Sequence, residues 1–359
     1  MRFKVQSPGR HAAAAFFALV ALAAFALGPK AGEIRGVWDH FGRGLYEGDW
    51  PRTVRKLKKA GISDIYVNVA GPGFAHYDSN ILPTSRLYAR SGDQLAACID
   101  AASREGMRVH AWVMCFSAGR APEALRSDFA ARGWCLKGAQ GSDTYLLDPS
   151  NPEVSTMMLR TVSEISRKYE VAGIHLDYVR WRDFPSTRNT PAAMARFAQA
   201  HPEAGEPTDA ALFDWRARVI GAFVAEARRR ALEWRPGAAI TAAVYGKYPS
   251  CVDAVGQDWV SWLETGVVDY VLPMDYTESD ERFAEWTGEQ ARTPAQARKV
   301  IAGISVTASE SRLDAEGVKR QIALARRAGI AGFALFDLDE TLEKEILPAL
   351  SGGSGESRQ

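Results

Sequence analysis

A single acidic residue ends one of the most regular apolar segments of this sequence. If residues 173–178 (GIHLDY) form a strand, His175 and Asp177 share one face, because side chains alternate along a strand. The apolar residues between them need a cover of helices, which turns Asp177 toward the interior at the carboxyl end of the strand. A carboxylate in such a cavity is costly unless it is used. We therefore predict that Asp177 is catalytic; a structural ion pair with Arg180 or Arg182 is the alternative.

Polar and aromatic residues also end the other predicted strands, and we expect them to surround Asp177. The predicted substrate-binding residues are Trp38, Asp39, Asn68, Trp112, His175, Arg180 and Tyr276. For His175 the alternative is a hydrogen-bonded core position, because a lone inward histidine occupies either environment. Carboxylates, amides and aromatic rings grouped around an inward acid suit the cleavage of a glycosidic bond.

Two more acids, Asp275 and Asp337, complete the predicted catalytic set. Glycosidic cleavage normally uses two carboxyl groups, and both residues follow predicted strands. For Asp275 the direction stays open. If Met274 and Tyr276 point inward, Asp275 points toward the helices and serves only the structure.

Short β-rich segments alternate with amphipathic helical segments from residue 33 onward. The predicted strands cover residues 34–38, 64–69, 108–114, 173–178, 239–244, 268–274, 300–306 and 332–336, and the predicted helices cover 50–60, 93–105, 153–169, 213–234, 252–264 and 314–328. Gly61, Gly106, Gly266 and Gly329 follow helices, as left-handed C-caps. This alternation predicts an α/β fold, a (β/α)8 TIM barrel. The alternative, a doubly wound open sheet, lacks a glycine-rich phosphate turn after its first strand.

The first thirty residues differ in kind from the rest. Three basic residues precede an uncharged apolar run at 12–27, and residues 24–26 (AFA) form a small-x-small cleavage site. The predicted organisation is a signal peptide at 1–26, one glycosyl hydrolase-like barrel at 33–350 and a disordered Gly/Ser-rich tail at 351–359. An uncleaved N-terminal anchor is the alternative. We expect a monomer that is secreted or periplasmic, with no membrane span after cleavage.

Composition excludes several function classes. The 44 Lys and Arg residues balance 43 Asp and Glu residues, so no basic field attracts nucleic acid. The four cysteines form no C-x-x-C pair and no His stands at ligand spacing, so we expect no metal and no cofactor. Export permits a disulfide, and Cys115 with Cys135 is the pair to test first. The expected partner is a polysaccharide substrate.

Several motifs together resemble the glycosyl hydrolase-like ten family of exported bacterial proteins. They are EIRGVW at 33–38, GFAHYDS at 73–79, VHAWV at 109–113, LDP at 147–149, GIHLDY at 173–178, QDWVSWLE at 257–264 and PMDYT at 273–277. The resemblance spans Glu33 to about Phe336. It implies a (β/α)8 barrel that acts on bacterial glycans, with peptide-free peptidoglycan strands as one implied substrate.

Three functions compete on this sequence. The first is a glycosidase for peptidoglycan strands or another amino-sugar polymer, with Asp177 as nucleophile, general base or stabiliser of a substrate-assisted intermediate. The second is a catalytically silent barrel that binds glycan and positions cell-wall enzymes. The third, a metal-dependent deacetylase, is disfavoured because the sequence has no His/Asp cluster with ligand spacing.

The predicted cleavage site has a direct test. We expect mass spectrometry of the exported protein to find its N-terminus between Leu27 and Glu33, because the apolar run is short for a membrane span. Recovery of an intact form that begins at Met1 and sediments with membranes would indicate the anchor instead.

Overall fold

Eight parallel strands form the wall of a barrel in the computed structural model, which describes residues 32–182, 187–202 and 207–351. The strands are β1 (Ile34–Asp39), β2 (Asp64–Gly71), β3 (Arg108–Met114), β4 (Gly173–Asp177), β5 (Ala239–Val244), β6 (Tyr270–Pro273), β7 (Ile301–Ser305) and β8 (Gly332–Phe336). Each strand from β1 to β5 pairs with the next one along the chain, and β8 pairs with both β7 and β1. The predicted segments are therefore the strands of one sheet.

The sheet closes on itself between β6 and β7. Two isolated parallel bridges, Val271 with Val300 and Met274 with Gly303, join these strands, and the Val271 amide donates to the Lys299 carbonyl at 3.0 Å. The ladder is shorter here than elsewhere in the wall, but it completes the circuit. The predicted TIM barrel is confirmed and the open doubly wound sheet is excluded.

Helices cover the outside of the barrel. They span Trp50–Lys59, Arg86–Ser91, Gln94–Arg104, Glu123–Ala131, Pro152–Lys168, Pro191–Ala200, Asp209–Trp234, Ser250–Val255, Trp259–Glu264, Asp280–Gln290, Pro294–Ala297, Ala315–Ala328 and Leu347–Ser351, and Leu342–Ile346 is π-helical. All four glycines predicted at helix ends have positive φ, between 62° and 79°. They end the helices in the left-handed conformation that favours glycine.

One predicted helix, at 252–264, is two helices. Gly256 (φ 76°) ends the first of them in a left-handed C-cap, and the Asp258 side chain caps the second by accepting from the Ser261 amide. A glycine followed two residues later by a good N-cap residue separates one helix from the next. The sequence predicts one continuous helix because the helical periodicity is the same on both sides of the break.

Extra elements follow the carboxyl ends of three strands. Phe74–Ala75 pairs antiparallel with the end of β2. A small antiparallel sheet joins Cys135–Gly138 after β3 to Asp143–Leu147 and to Thr187–Arg188, which follows β4. These insertions enlarge the face where barrel enzymes build their sites.

All four cysteines are buried free thiols, so Cys115 and Cys135, the pair to test first for a disulfide, are not bonded to each other in the structure. Cys115 packs in the apolar core, where its Sγ contacts the Val113 carbonyl at 3.6 Å. Cys135 begins the inserted sheet and pairs with Leu147. Proximity to the same strand end did not bring the two side chains together.

The predicted signal peptide and the tail beyond Ser351 lie outside the described residues. Within the described part of the chain, no helix is both long and apolar enough to cross a membrane.

A buried carboxylate ties the long loop after β2 to the barrel. Glu164, in the Pro152–Lys168 helix, accepts from the Tyr77 hydroxyl at 2.8 Å, the Ser79 hydroxyl at 2.7 Å and the Asn80 amide at 2.7 Å. Lys168 lies 3.5 Å from the same carboxylate. These bonds hold the pKa of Glu164 below its usual value although burial opposes them.

We expect Glu164→Ala to lower the free energy of unfolding by about 3 kcal/mol, because it leaves buried donors without an acceptor. Urea unfolding measures this change. The control is Glu170→Ala, at a side chain that is 80% exposed and paired with Arg235, which should change stability by less than about 0.5 kcal/mol. Equal effects of the two substitutions would contradict the role of Glu164 as the loop's anchor.

Candidate active site

A cleft of about 380 Å³ opens at the carboxyl ends of the strands. Its lining consists of Trp38, His40, Trp112, Asp177, Tyr178, Arg180, Ala243, Tyr245, Met274, Tyr276, Ala308, Ser309, Glu310 and Phe336. Strands β1, β3, β4, β5, β6 and β8, or the residues just after them, supply most of these side chains. The lining is rich in aromatic rings, and its acids are Asp177 and Glu310.

Asp177 is the last residue of β4 and lies at the wall of the cleft, as its predicted inward direction requires. Its Oδ1 accepts from the Tyr178 amide at 2.5 Å. Burial raises the pKa of Asp177, while the nearby Arg180 charge, the Tyr178 amide and the Trp112 indole lower it in part. The indole N–H makes no hydrogen bond of good geometry, so the Asp177 carboxyl is only lightly paired for a buried acid.

Tyr178 and Arg180, which follow Asp177 in the chain, also line the cleft. Tyr178 has φ 48° and is, among the described residues, the single non-glycine position with positive φ. Arg180 lies against two rings, with its Cζ 4.5 Å from the Tyr178 centroid and 4.7 Å from the Tyr245 centroid. The alternative to a catalytic Asp177 is an ion pair with Arg180 or Arg182. Arg180 makes no direct ion pair with Asp177 but acts on it through space, and its guanidinium is held mainly by aromatic rings. Strained backbone next to a cavity-lining acid is typical of functional sites.

An aromatic pair forms each of two sides of the cleft. Trp112 stacks on His40, with centroids 5.6 Å apart and planes at 20°, and Tyr276 stacks on Phe336 at 5.5 Å and 29°. Burial raises the pKa of Tyr276, and so do the negative charges of Asp177, Asp337 and two other acids around it. The Tyr276 hydroxyl is therefore a neutral hydrogen-bond donor among carboxyl groups.

Asp337 lies behind His40 and is absent from the cleft lining. Its Oδ1 accepts from the His40 amide at 3.0 Å and the Leu338 amide at 2.6 Å, and the Phe336–Asp337 peptide bond before it is cis. Burial raises the pKa of Asp337 to about 7, which these two amides oppose. Burial lowers the pKa of the neighbouring His40 to about 4. The carboxyl group thus fixes the position of His40 at the rim.

His175 lies in the layer beneath the cleft. Its Nε2 is 2.9 Å from the Trp38 indole nitrogen, which donates to it, and its Nδ1 is 2.8 Å from the Thr241 hydroxyl. Because Nε2 accepts, the proton of the neutral ring resides on Nδ1. Burial lowers the pKa of His175 well below its usual value. The predicted inward direction is confirmed, and the ring supports Trp38 from within the barrel.

Asp39 and Asn68, two of the predicted substrate-binding residues, are fully buried and are not part of the cleft lining. The Asp39 carboxylate accepts from the Gly42 amide at 2.9 Å and the Gly44 amide at 2.7 Å, so it organises the loop after β1. Neither the oxygen nor the nitrogen of the Asn68 amide has a hydrogen-bond partner in the structure. The structure brings Trp38, Trp112, Arg180 and Tyr276 to Asp177, but not these two.

Asp275 points away from the cleft, because Met274 and Tyr276 on either side of it point inward. The alternative left open by the sequence is thus the observed one. Its Oδ1 accepts from Gln290 Nε2 at 2.7 Å, and its Oδ2 has no partner. Burial raises the pKa of Asp275 to about 8. The residue is a protonated structural acid between β6 and the helices, and the prediction that it belongs to the catalytic set is not supported by its position.

Several lining residues were missed from the sequence. Tyr245 follows β5 in the same way that Tyr178 follows β4, so the end of a predicted strand was a usable signal. Phe336 ends β8 and is absent from the predicted site residues, although the end of a predicted strand is the same signal. Glu310 lies in the loop after β7, where no periodic pattern directs attention to it. Among the described residues, no group of three His, Cys, Asp or Glu side chains is arranged to hold a metal ion.

The barrel and its cleft define the class of protein. Solved structures with the same fold include the glycoside hydrolase domain of PgaB (BpsB) from Bordetella bronchiseptica, with TM-score 0.66, 15% identity and coverage of 85% of this chain and 93% of that one. The catalytic domain of β-amylase from Paenibacillus polymyxa matches with TM-score 0.63 and 12% identity, over 89% of this chain and 97% of that one. The fold is that of TIM-barrel glycoside hydrolases.

The family follows from the sequence. Residues 33–308 match the family Glycosyl hydrolase-like 10, and the chain belongs to it. A curated relative, glycosyl hydrolase DigH of Escherichia coli (strain K12), is 24% identical over 286 residues. That alignment covers 68% of this chain and 62% of the relative.

The buried acid outside the cleft predicts a pH-dependent stability. The pKa of Asp275 is raised from 3.8 to about 8, so the folded protein holds a proton that the unfolded chain releases. The free energy of unfolding should therefore fall as the pH rises from 3.8 to about 8. Asp275→Asn keeps the shape of the protonated acid and should flatten this slope in urea unfolding. Asp253→Asn, at an exposed helix position, should leave it unchanged, and equal slopes in all three proteins would contradict the assignment.

Proposed function

We propose that this protein is an exported glycoside hydrolase that cleaves a bacterial polysaccharide, with peptide-free peptidoglycan strands as the preferred substrate. Membership of a glycosyl hydrolase-like family and a TIM barrel supports the reaction class. The predicted signal peptide supports export, and the motif resemblance supports the choice of polymer. The observation that carries the proposal is a lightly paired, buried Asp177 at the wall of an aromatic cleft.

The environment of Asp177 suits proton transfer to a glycosidic oxygen or from the water that attacks the sugar. Burial favours the protonated form, while Arg180, the Tyr178 amide and the Trp112 indole favour the carboxylate. A carboxyl group whose pKa is raised by burial, while neighbouring donors favour its charged form, can serve as a proton donor or acceptor. We assign to Asp177 the acid–base step at the bond that is cleaved.

Glycosidic cleavage normally uses two carboxyl groups, and the candidates for the second one lie near Tyr276. The charges of both Asp337 and Glu310 raise the pKa of this tyrosine, so both acids are near it. Glu310 is exposed in the lining of the cleft, whereas the Asp337 carboxyl is bound by two backbone amides behind His40. In the proposed reaction Glu310 is the carboxylate that faces solvent and substrate, and Asp337 keeps the rim in place.

Aromatic rings in the cleft suit a sugar polymer. Trp38, Trp112, Tyr276 and Phe336 present ring surfaces around Asp177, and the apolar faces of pyranose rings pack on such surfaces. Arg180 and the Tyr276 hydroxyl supply donors for sugar oxygens. The mixture of rings and a few polar groups is usual for an orienting ligand site.

One observation favours the catalytically silent, glycan-binding barrel as a second candidate. Among the described residues, Asp177 is the one buried acid in the cleft lining, and the other lining acid, Glu310, is exposed on a loop. A protein with this cleft that bound strands without cleaving them would position other wall enzymes. The assay below separates the two functions.

Replacement of Asp177 by Asn tests the proposal. The change keeps the shape of the side chain but removes its proton chemistry, so the release of sugar fragments from peptide-free peptidoglycan strands should fall at least about 100-fold. Affinity for the strands, measured by calorimetry, should change little, since the acid acts mainly in the transition state. Stability should be unchanged or higher, because an acid placed for function costs stability.

Asp275→Asn is the matched comparison, since Asp275 is also a buried acid after a strand but faces Gln290. It should leave turnover close to the wild-type value, because its carboxyl group does not line the cleft. Wild-type protein that binds strands without releasing fragments would establish the silent barrel. If the Asp177→Asn protein is destabilised but cleaves strands at the wild-type rate, Asp177 is a structural residue paired with Arg180 and is not catalytic.

A further inference from the structure

A row of three rings leads from the cleft out to the surface beside β1. Trp112 is 3% exposed, the His40 side chain is 32% exposed, and Phe41 is 46% exposed. The centroids of Trp112 and His40 are 5.6 Å apart, and those of His40 and Phe41 are 5.2 Å apart. The first two rings line the cleft, so Phe41 continues its wall beyond the rim.

The exposure of Phe41 has no explanation in the packing of the barrel. It belongs to the loop after β1, which the Asp39 carboxylate holds through the Gly42 and Gly44 amides. The loop is therefore fixed, and the ring is presented to solvent instead of folding inward. An exposed aromatic residue on an ordered loop at the mouth of a site suits a contact with ligand.

Two positively charged arginine side chains lie next to the Phe41 ring. The Cζ of Arg43 lies 5.2 Å from the ring centroid and that of Arg120 lies 5.5 Å from it. Arg120 is half-buried and donates to the His40 carbonyl at 2.6 Å, so it is part of the loop's scaffold. Arg43 has a side chain that is 53% exposed, and its ion pair with Glu47 is long, at 3.9 Å.

Glu47 pairs mainly with Arg90. It accepts from Arg90 at 2.8 Å and 3.1 Å, which leaves Arg43 as the weaker of its two cationic partners. A guanidinium held over a ring keeps N–H donors at its edge, and these bind a carboxylate in bidentate geometry. Arg43 is thus placed to bind an anionic group on a ligand that extends past His40.

We propose that Phe41 and Arg43 form an outer subsite, where the polymer held in the cleft places a sugar residue that carries a carboxylate. This inference rests on the proposed function, because it takes the ligand of the cleft to be a glycan strand. It adds the direction in which the strand leaves the cleft, over β1. It also requires that the ligand carry a negative charge at this subsite, whereas the aromatic rings of the cleft require no charge.

The test compares two forms of one ligand. Peptide-free peptidoglycan strands are used with their carboxylates intact, and as the methylamide derivative in which the carboxylates are neutral. Affinities are measured by calorimetry on the full exported protein. Arg43→Gln should weaken binding of the intact strands about tenfold, as expected for one lost charge-assisted interaction, and should not change binding of the amidated strands. Phe41→Ala should weaken binding of both forms, because it removes the ring and the support of Arg43.

The chain contains a matched control for both substitutions. Trp234 is 47% exposed and has the Arg167 Cζ 5.9 Å from its ring, but it ends the Asp209–Trp234 helix at the opposite end of the barrel. Trp234→Ala and Arg167→Gln should leave both affinities at the wild-type values. Thermal unfolding of all four variants shows that each is folded.

The outcomes separate this inference from the proposed function. Wild-type affinity of Arg43→Gln for intact strands, or an equal loss for intact and amidated strands, would overturn the outer subsite while strand cleavage by the wild type continued to support the hydrolase. Binding that depends on Arg43 in a protein that cleaves no strand would uphold the subsite and overturn the hydrolase. A loss of affinity in Arg167→Gln equal to that in Arg43→Gln would show general charge attraction and would also overturn the subsite.

Discussion

The alternation of side chains along parallel strands decides where every acid of this barrel can act. A strand has two faces, one toward the barrel interior and one toward the helices, and a residue cannot serve both. Asp177 ends β4 on the inner face and reaches the cleft, whereas Asp275, two residues beyond β6, lies on the other side and meets Gln290. The two acids have similar neighbours in the sequence. Their chemistry differs because Asp177 lies on the inner face of the barrel wall and Asp275 on the outer face.

Burial raises the pKa of each of the buried acids at the mouth of the barrel. The groups that oppose this rise by stabilising the carboxylate differ from one acid to the next. Asp39 and Asp337 each accept from two backbone amides, and Asp275 accepts from a neutral side chain. Asp177 accepts from one amide and has its remaining support from Arg180 and the Trp112 indole. The acid with an open cavity in front of it is thus the one whose compensating groups also face the ligand.

The fold was predictable because its signals are local and repeated. Strand segments alternate with amphipathic helices, and glycines such as Gly61 and Gly329 mark helix ends. The candidate site was only partly predictable, since position after a strand does not show what a side chain meets. Asp39 ends β1 as Asp177 ends β4, but the glycines at 42 and 44 bring amides to the Asp39 carboxylate. Glu310 lies in a loop without periodicity, and only the folded chain brings it to the cleft.

The seam between β6 and β7 gives the barrel wall unequal stiffness. Most neighbouring strands share four or more paired positions, while these two share a pair of isolated bridges. Opening a wall costs least where the fewest backbone hydrogen bonds cross it, so we expect amide protons of this seam to exchange with solvent before those of β1 and β2. Tyr276 and Glu310 follow these two strands and line the cleft. We therefore expect this side of the mouth to yield before the opposite wall, which holds Trp112 and His40.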